Sequence, residues 1–200
     1  MKRRLRWMIL LGALSALLPN AARALSFSTV VVDAGHGGHD GGCVWNGLIE
    51  KRLCLDVAKR LETALKKRGV RVVMTRRTDT FVKLEDRARI ANRNSRSVFV
   101  SIHFNASRDK AISGMEVFYR SDRGKVLARS ILRSMDNRLI GKNRGVIHGG
   151  FKVLRSTLMP AVVVEAAYLS NKTEAGRYSS PANRQALADA IAAGIIAARG

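Results

Sequence analysis

VVVDAGHGGHDGG, residues 30–42, decides how the rest of the chain is read. Three adjacent valines, with no polar residue alternating between them, form the pattern of a strand covered on both faces. The run stops at Asp33. Five glycines then separate His36, His39 and Asp40 on a backbone that can bend almost anywhere. The loop is not a phosphate cradle, because no Lys-Ser/Thr pair follows at the required spacing, and it is a poor dinucleotide fingerprint. A buried strand that empties into such a loop resembles the strand-end crevice of an open α/β sheet.

Other β-branched runs have the same character: 70–75 (VRVVMT), 97–102 (SVFVSI), 115–119 (MEVFY) and 161–166 (AVVVEA). Helical periodicity fills the gaps. Residues 49–69 place Leu53, Val57, Leu61 and Leu65 at i, i+4 spacing and end at Gly69, a C-cap residue. Residues 83–94 put Leu84, Ala88 and Ala91 on one face, and 125–139 do the same with Leu127, Ile131 and Met135. The last helix, within 180–200, begins at Ser180-Pro181 and points Leu187, Ile191 and Ile195 at the sheet. The alternation predicts an α/β fold. It is a single-domain three-layer sandwich with a mostly parallel, twisted sheet of about six strands and helices on both faces.

The first 24 residues stand apart. Lys2, Arg3, Arg4 and Arg6 precede an apolar stretch from Trp7 to Leu18, then Pro19 and the small-residue site Ala22-Arg23-Ala24. That is the layout of a signal peptide, and the stretch is short for a bilayer span. An uncleaved anchor is the other reading, and both place residues 25–200 outside the cytoplasm. The Arg3-Arg4 pair offers a twin-arginine reading that the following residues fit poorly. No second hydrophobic span, internal repeat or linker divides the remainder, which suits one domain, expected as a monomer.

The formal net charge is +21, and residues 1–24 hold five Lys/Arg and no acid, which leaves about +16 on the rest. In an intracellular protein this would suggest nucleic acid. Export removes that partner. What remains is a solvated basic face, or attraction to anionic envelope polymers and membrane head groups. Cys43 and Cys54 can form a disulfide in an oxidising compartment, but nothing in the sequence fixes their distance.

Three strand runs end in a residue able to bind metal or move a proton: His36 after the first, His103 in VFVSIHFN, and Glu165 in PAVVVEA. Glu50 opens the first long helix on the same edge. Two imidazoles and carboxylates in one crevice form the ligand set of a catalytic zinc with an open position. Each residue alone is weak evidence. His36 can be an ordinary loop histidine and His103 a satisfied core residue. His39 rivals His36 as a ligand, and His148 lies at the surface or on the cleft's rim. Glu165, behind four apolar residues, needs a partner or a raised pKa.

Taken together, VVVDAGHGGHDGG…NGLIEK, MTRRTDTFVKLEDRARIAN, VSIHFNA, GMEVFY, RGVIHGGFKVLRSTLMPAVVVEAAYLSN and the alanine-rich last helix resemble the zinc-dependent N-acetylmuramoyl-L-alanine amidases. The likeness spans nearly all of residues 27–198 in order. It implies the phosphorylase/hydrolase-like sandwich, one Zn²⁺ per chain held by His36, Glu50 and His103, and Glu165 as the catalytic carboxylate beside the metal. It implies peptidoglycan as substrate and, as the bond cut, the amide between the muramic-acid lactyl group and the first L-alanine of the stem peptide. Asp33 then supports a ligand imidazole or merely forms a strand-end turn, and Asn105 binds substrate or holds its loop. Arg87 is read as a structural ion-pair residue.

The likeness also leads to an expected glycine and phenylalanine after the catalytic glutamate, where this chain has Ala166, Ala167 and Tyr168. Some relatives carry an inserted helix that plugs the zinc site. Here only RSDRG follows MEVFY before the next helix, which leaves no room for one. A stem-peptide peptidase and a non-catalytic wall-binding module are the competing functions.

Overall fold

The computed structural model describes residues 24–200, so the leader read in 1–24 falls outside the described residues but for Ala24. The elements in order are β1 (Thr29–Ala34), β2 (Val44–Trp45), β3 (Leu48–Ile49), α1 (Glu50–Lys66), β4 (Arg71–Met74), α2 (Leu84–Asn92), β5 (Ser97–Asn105), β6 (Met115–Tyr119), α3 (Asp122–Asp136), β7 (Asn143–His148), α4 (Lys152–Ser156), β8 (Ala161–Tyr168), α5 (Lys172–Ser179) and α6 (Pro181–Ala198).

Six strands form one sheet in the order β4-β1-β5-β8-β6-β7. The first four are mutually parallel. β6 runs antiparallel to β8, and β7 follows β6, so this edge of the sheet points the other way. The continuous valine runs are explained by burial on both faces. Val30, Val32, Val162 and Val164 pack beneath α1, α3 and α6. Val31, Phe99 and Val163 face the layer built on α2 and α4. The helix stripes read from the sequence are the residues that pack: Leu53, Val57, Leu61 and Leu65 of α1, Leu127, Ile131 and Met135 of α3, and Leu187, Ile191 and Ile195 of α6 are all buried. Each such side chain contributes roughly 1.5–3 kcal/mol on leaving water.

Several details differ from the sequence reading. Leu84 is 48% exposed, and α2 is held by Ala88 and Ala91 instead. β7 has no counterpart in that reading; its NRGVIH sequence forms a half-exposed edge strand. The β2–β3 hairpin and the short helices α4 and α5 are also additional. Pro181 occupies the first turn of α6, but the Ser180 side chain makes no capping bond. Cys43 and Cys54 are free thiols.

Candidate active site

β1, β5 and β8 end at one edge of the sheet, and their register delivers the candidate residues. Asp33 lies opposite Ser101, and His103 opposite Glu165. On the reversed strand β6, Glu116 lies opposite Glu165 from the other side.

Asp33 does not support an imidazole. Its carboxylate accepts from Thr75 Oγ1 (2.6 Å), Ser101 Oγ (2.6 Å) and Arg87 Nη1 (2.8 Å), all buried. Burial works to raise its pKa, but the Arg87 charge and these hydrogen bonds prevail and hold it below the usual range. Arg87 is the structural ion-pair residue expected, and it does more. It also donates to the carbonyls of Ala34, His36 and Val82. Arg76, equally buried, donates to the carbonyls of Ala34, Gly35 and Lys51. Two guanidiniums thus fix the backbone just after β1, where His36 takes φ +56. A side-chain-bearing residue rarely adopts that left-handed conformation, which persists only where surroundings over-determine it.

So held, His36 turns Nε2 to within 2.9 Å of Glu50 Oε1, and His103 Nδ1 reaches the same oxygen at 2.9 Å. The donor atoms of the three residues lie within 4.8 Å of one another. Glu50 is the first residue of α1, which aims its carboxylate back into the edge. Oε2 accepts from Cys43 N (2.9 Å), and Oε1 from Phe104 N (3.2 Å). Burial opposes the charge on Glu50, yet bonds from His103 and His36 hold its carboxyl far below the usual range. The space is made by absent side chains: a Cβ on Gly35 would sit 2.4 Å from the His103 ring, and one on Gly42 2.5 Å from Glu50 Oε2.

The carboxylate that orients the His36 imidazole is Asp40, 2.9 Å from His36 Nδ1 and braced by Gly42 N (3.0 Å). The sequence reading passes over Asp40, although its i+4 spacing from His36 is visible there. His39 points away and stacks on Phe81, and His148 is exposed against Tyr119. Burial first, then the charge of Glu50, pushes the Cys43 thiol up to about 12 and Cys54 well above its usual value.

Glu165 is buried, and its Oε2 has no hydrogen-bond partner among the described residues. Burial raises its pKa to about 7, with Glu50 and Glu116 adding to the rise and His103 and His36 opposing it. Asn105 holds its loop: Oδ1 accepts from Ala106 N (2.7 Å), and Nδ2 donates to Glu116 Oε1 (2.8 Å). Tyr168, which follows the glutamate in place of the expected phenylalanine, donates its hydroxyl to that same oxygen (2.8 Å). Arg144 lies 3.4 Å from Glu116 and over the Tyr168 ring. A polar wall of Asn105, Glu116, Tyr168 and Arg144 therefore borders the site. Of these only Asn105 stands out in the sequence, because the other three come together through the reversed strands.

Residues 30–197 match the N-acetylmuramoyl-L-alanine amidase family. The chain belongs to that family. It is 37% identical over 196 residues to an uncharacterised Bacillus subtilis protein, YqiI, with 95% of each chain covered. It is 34% identical to the B. subtilis N-acetylmuramoyl-L-alanine amidase LytC over 84% of this chain, but spans only 35% of LytC. Among solved structures, the amidase AmiC2 of Nostoc punctiforme superposes with a TM-score of 0.82 at 38% identity, covering 84% of this chain and 95% of that one. A Clostridium difficile 630 amidase gives 0.83 at 34% identity, covering 86% and 96%.

Proposed function

We propose that this member of the amidase family acts outside the cytoplasm on peptidoglycan. There it hydrolyses the amide between the muramic-acid lactyl group and the stem-peptide L-alanine, in wall remodelling or cell separation. The observation that carries the reading is the convergence of His36, Glu50 and His103 beside a buried carboxylate with a free oxygen. Two imidazoles and one carboxylate, the donors that converge here, fit a single zinc ion. When bound, zinc supplies Lewis-acid polarisation of water and of the scissile carbonyl.

The chain's own residues do the rest. Asp40 fixes the His36 ring through Nδ1 and leaves Nε2 for the metal. Glu165 accepts a proton from the attacking water as its oxygen bonds to the carbonyl carbon. It returns that proton to the L-alanine nitrogen as the C–N bond breaks. A pKa raised by burial toward neutrality suits both transfers. Two residues, Arg120 and Ser121, join β6 to α3. That connection is too short for an inserted helix, and it lies where β8 begins, away from the edge that holds His36, Glu50 and His103. Residues 1–24 act as the export signal, and the domain works as a monomer.

The test uses purified peptidoglycan and counts new L-alanine amino termini. They should appear with the wild type, vanish with chelator, return with Zn²⁺, and be absent with Glu165→Ala. Wall binding without such termini would refute the assignment.

A further inference from the structure

Exposed arginines without partners cluster where β1, β5 and β8 begin. The carboxylates Asp33, Asp40, Glu50, Glu116 and Glu165 gather at the metal-ligand edge, where β1, β5 and β8 end. The opposite edge, where those strands begin, is basic. Arg71 starts β4 in register with Thr29, Arg96 precedes β5, and Arg120 follows the reversed strand β6 beside the start of β8. Arg123 in the first turn of α3 and Arg155 in α4 complete the set, and all five side chains are exposed. Among the described residues, none of the five guanidiniums has a salt-bridge or hydrogen-bond partner.

Three of them, Arg120, Arg123 and Arg155, line a cleft of about 480 Å³. Its walls include Leu154, Met159 and Pro160, and one acid, Asp122. Leu158, on its rim, is 86% exposed. A single exposed leucine needs no explanation. A leucine projecting from a cleft ringed by unpaired arginines does, because the combination suits an interface that is apolar within and anionic at its surface. Leu25 pairs with Arg199 just beyond this edge. The described residues therefore begin on the arginine side.

We propose that the strand-start edge docks on anionic phospholipid head groups, with Leu158 inserted among them and Arg120, Arg123 and Arg155 on the phosphates. Docked so, the metal-ligand edge faces away from the bilayer. Lipid binding is independent of the amidase reading and is tested without any activity measurement.

The experiment uses residues 24–200, which contain every described element and the whole core. Binding is measured to phosphatidylcholine vesicles with and without roughly one third phosphatidylglycerol. The triple variant Arg120→Gln, Arg123→Gln, Arg155→Gln should partition on the order of a hundredfold more weakly onto the anionic vesicles. A charge-matched triple on outer helix faces, Lys59→Gln, Arg129→Gln, Arg133→Gln, should bind nearly as the wild type. Thermal unfolding checks that each variant folds. In the otherwise wild-type domain, Leu158→Trp adds indole emission to that of Trp45, and the added emission should shift to the blue on the anionic vesicles. Equal losses in both triples would show net charge alone and overturn the proposal, as would equal binding to neutral vesicles. If the emission added by Leu158→Trp stays unshifted while soluble poly(glycerol phosphate) competes fully, the edge belongs to a polymer and the proposal is overturned too.

Discussion

Glu165→Gln is expected to abolish amide hydrolysis and yet stabilise the metal-free fold, increasingly so as pH rises. The carboxyl is buried with one oxygen unpartnered, and its pKa stands at about 7 against the ordinary 4.5. The folded state therefore binds the proton more tightly than the unfolded chain does. Between these two values the folded chain carries more protons, so stability falls as pH rises through the window. Above it the ionised form costs the fold about 3 kcal/mol; at pH 5 the cost is below about 1 kcal/mol. Glutamine mimics the protonated acid at every pH. Any fixed packing change it introduces is the same throughout and cancels in the comparison. The stability gap between Glu165→Gln and wild type should thus grow by roughly 2.5 kcal/mol from pH 5 to pH 8. In a domain of this size that corresponds to about 5–10 °C in Tm. Urea unfolding of both proteins in chelator, at several pH values, measures it. A gap that stays constant, or that shrinks as pH rises, would refute the claim that desolvation dominates at Glu165.

Arg87→Met leaves Asp33 charged, buried and without its cation, and should destabilise the fold by about 3–5 kcal/mol in urea unfolding. Asp40→Asn weakens the hold on the His36 ring, and zinc affinity measured by competition with a chromogenic chelator should fall by roughly 10–100-fold while Tm of the metal-free protein moves little. Gly35→Ala drives a methyl into the His103 ring, 2.4 Å away at the ideal position. It should lose bound zinc, measured by elemental analysis, and activity together, with circular dichroism retained. Tyr168→Phe removes one of two donors to Glu116 Oε1 and should cost about 0.5–1.5 kcal/mol, leaving hydrolysis in place.

What is legible in the sequence is what local pattern determines. Buried parallel strands read as unbroken valine runs, and α1, α3 and α6 as stripes at helical spacing, because each packs against a broad apolar surface. β7 escapes such a reading since an edge strand needs little apolar content, and Gly145 within it takes φ +96. α4 spans five residues, too few to show a period. Leu84 misleads because it occupies the right phase of α2 but lies beyond the layer it would pack against. The convergence of His36, Glu50 and His103 is legible because strand ends and a helix start announce themselves. The true surroundings of Asp33 are not. Thr75, Arg87 and Ser101 come from three other parts of the chain, and no spacing relates them to residue 33. Glu116 and Tyr168 meet only because β6 reverses direction beside β8.

The order of the sheet has a consequence for assembly. β8, the last strand to emerge from any N-to-C synthesis or translocation, lies in the middle, between β5 and β6. Until it arrives, β4-β1-β5 and β6-β7 have no shared ladder, and the carboxylate proposed to move protons is still missing from the edge that holds His36, Glu50 and His103. Hydrolytic power and a joined sheet therefore appear in the same event. A chain halted before residue 161 has neither the strand that joins the two halves of the sheet nor the buried carboxylate beside His103.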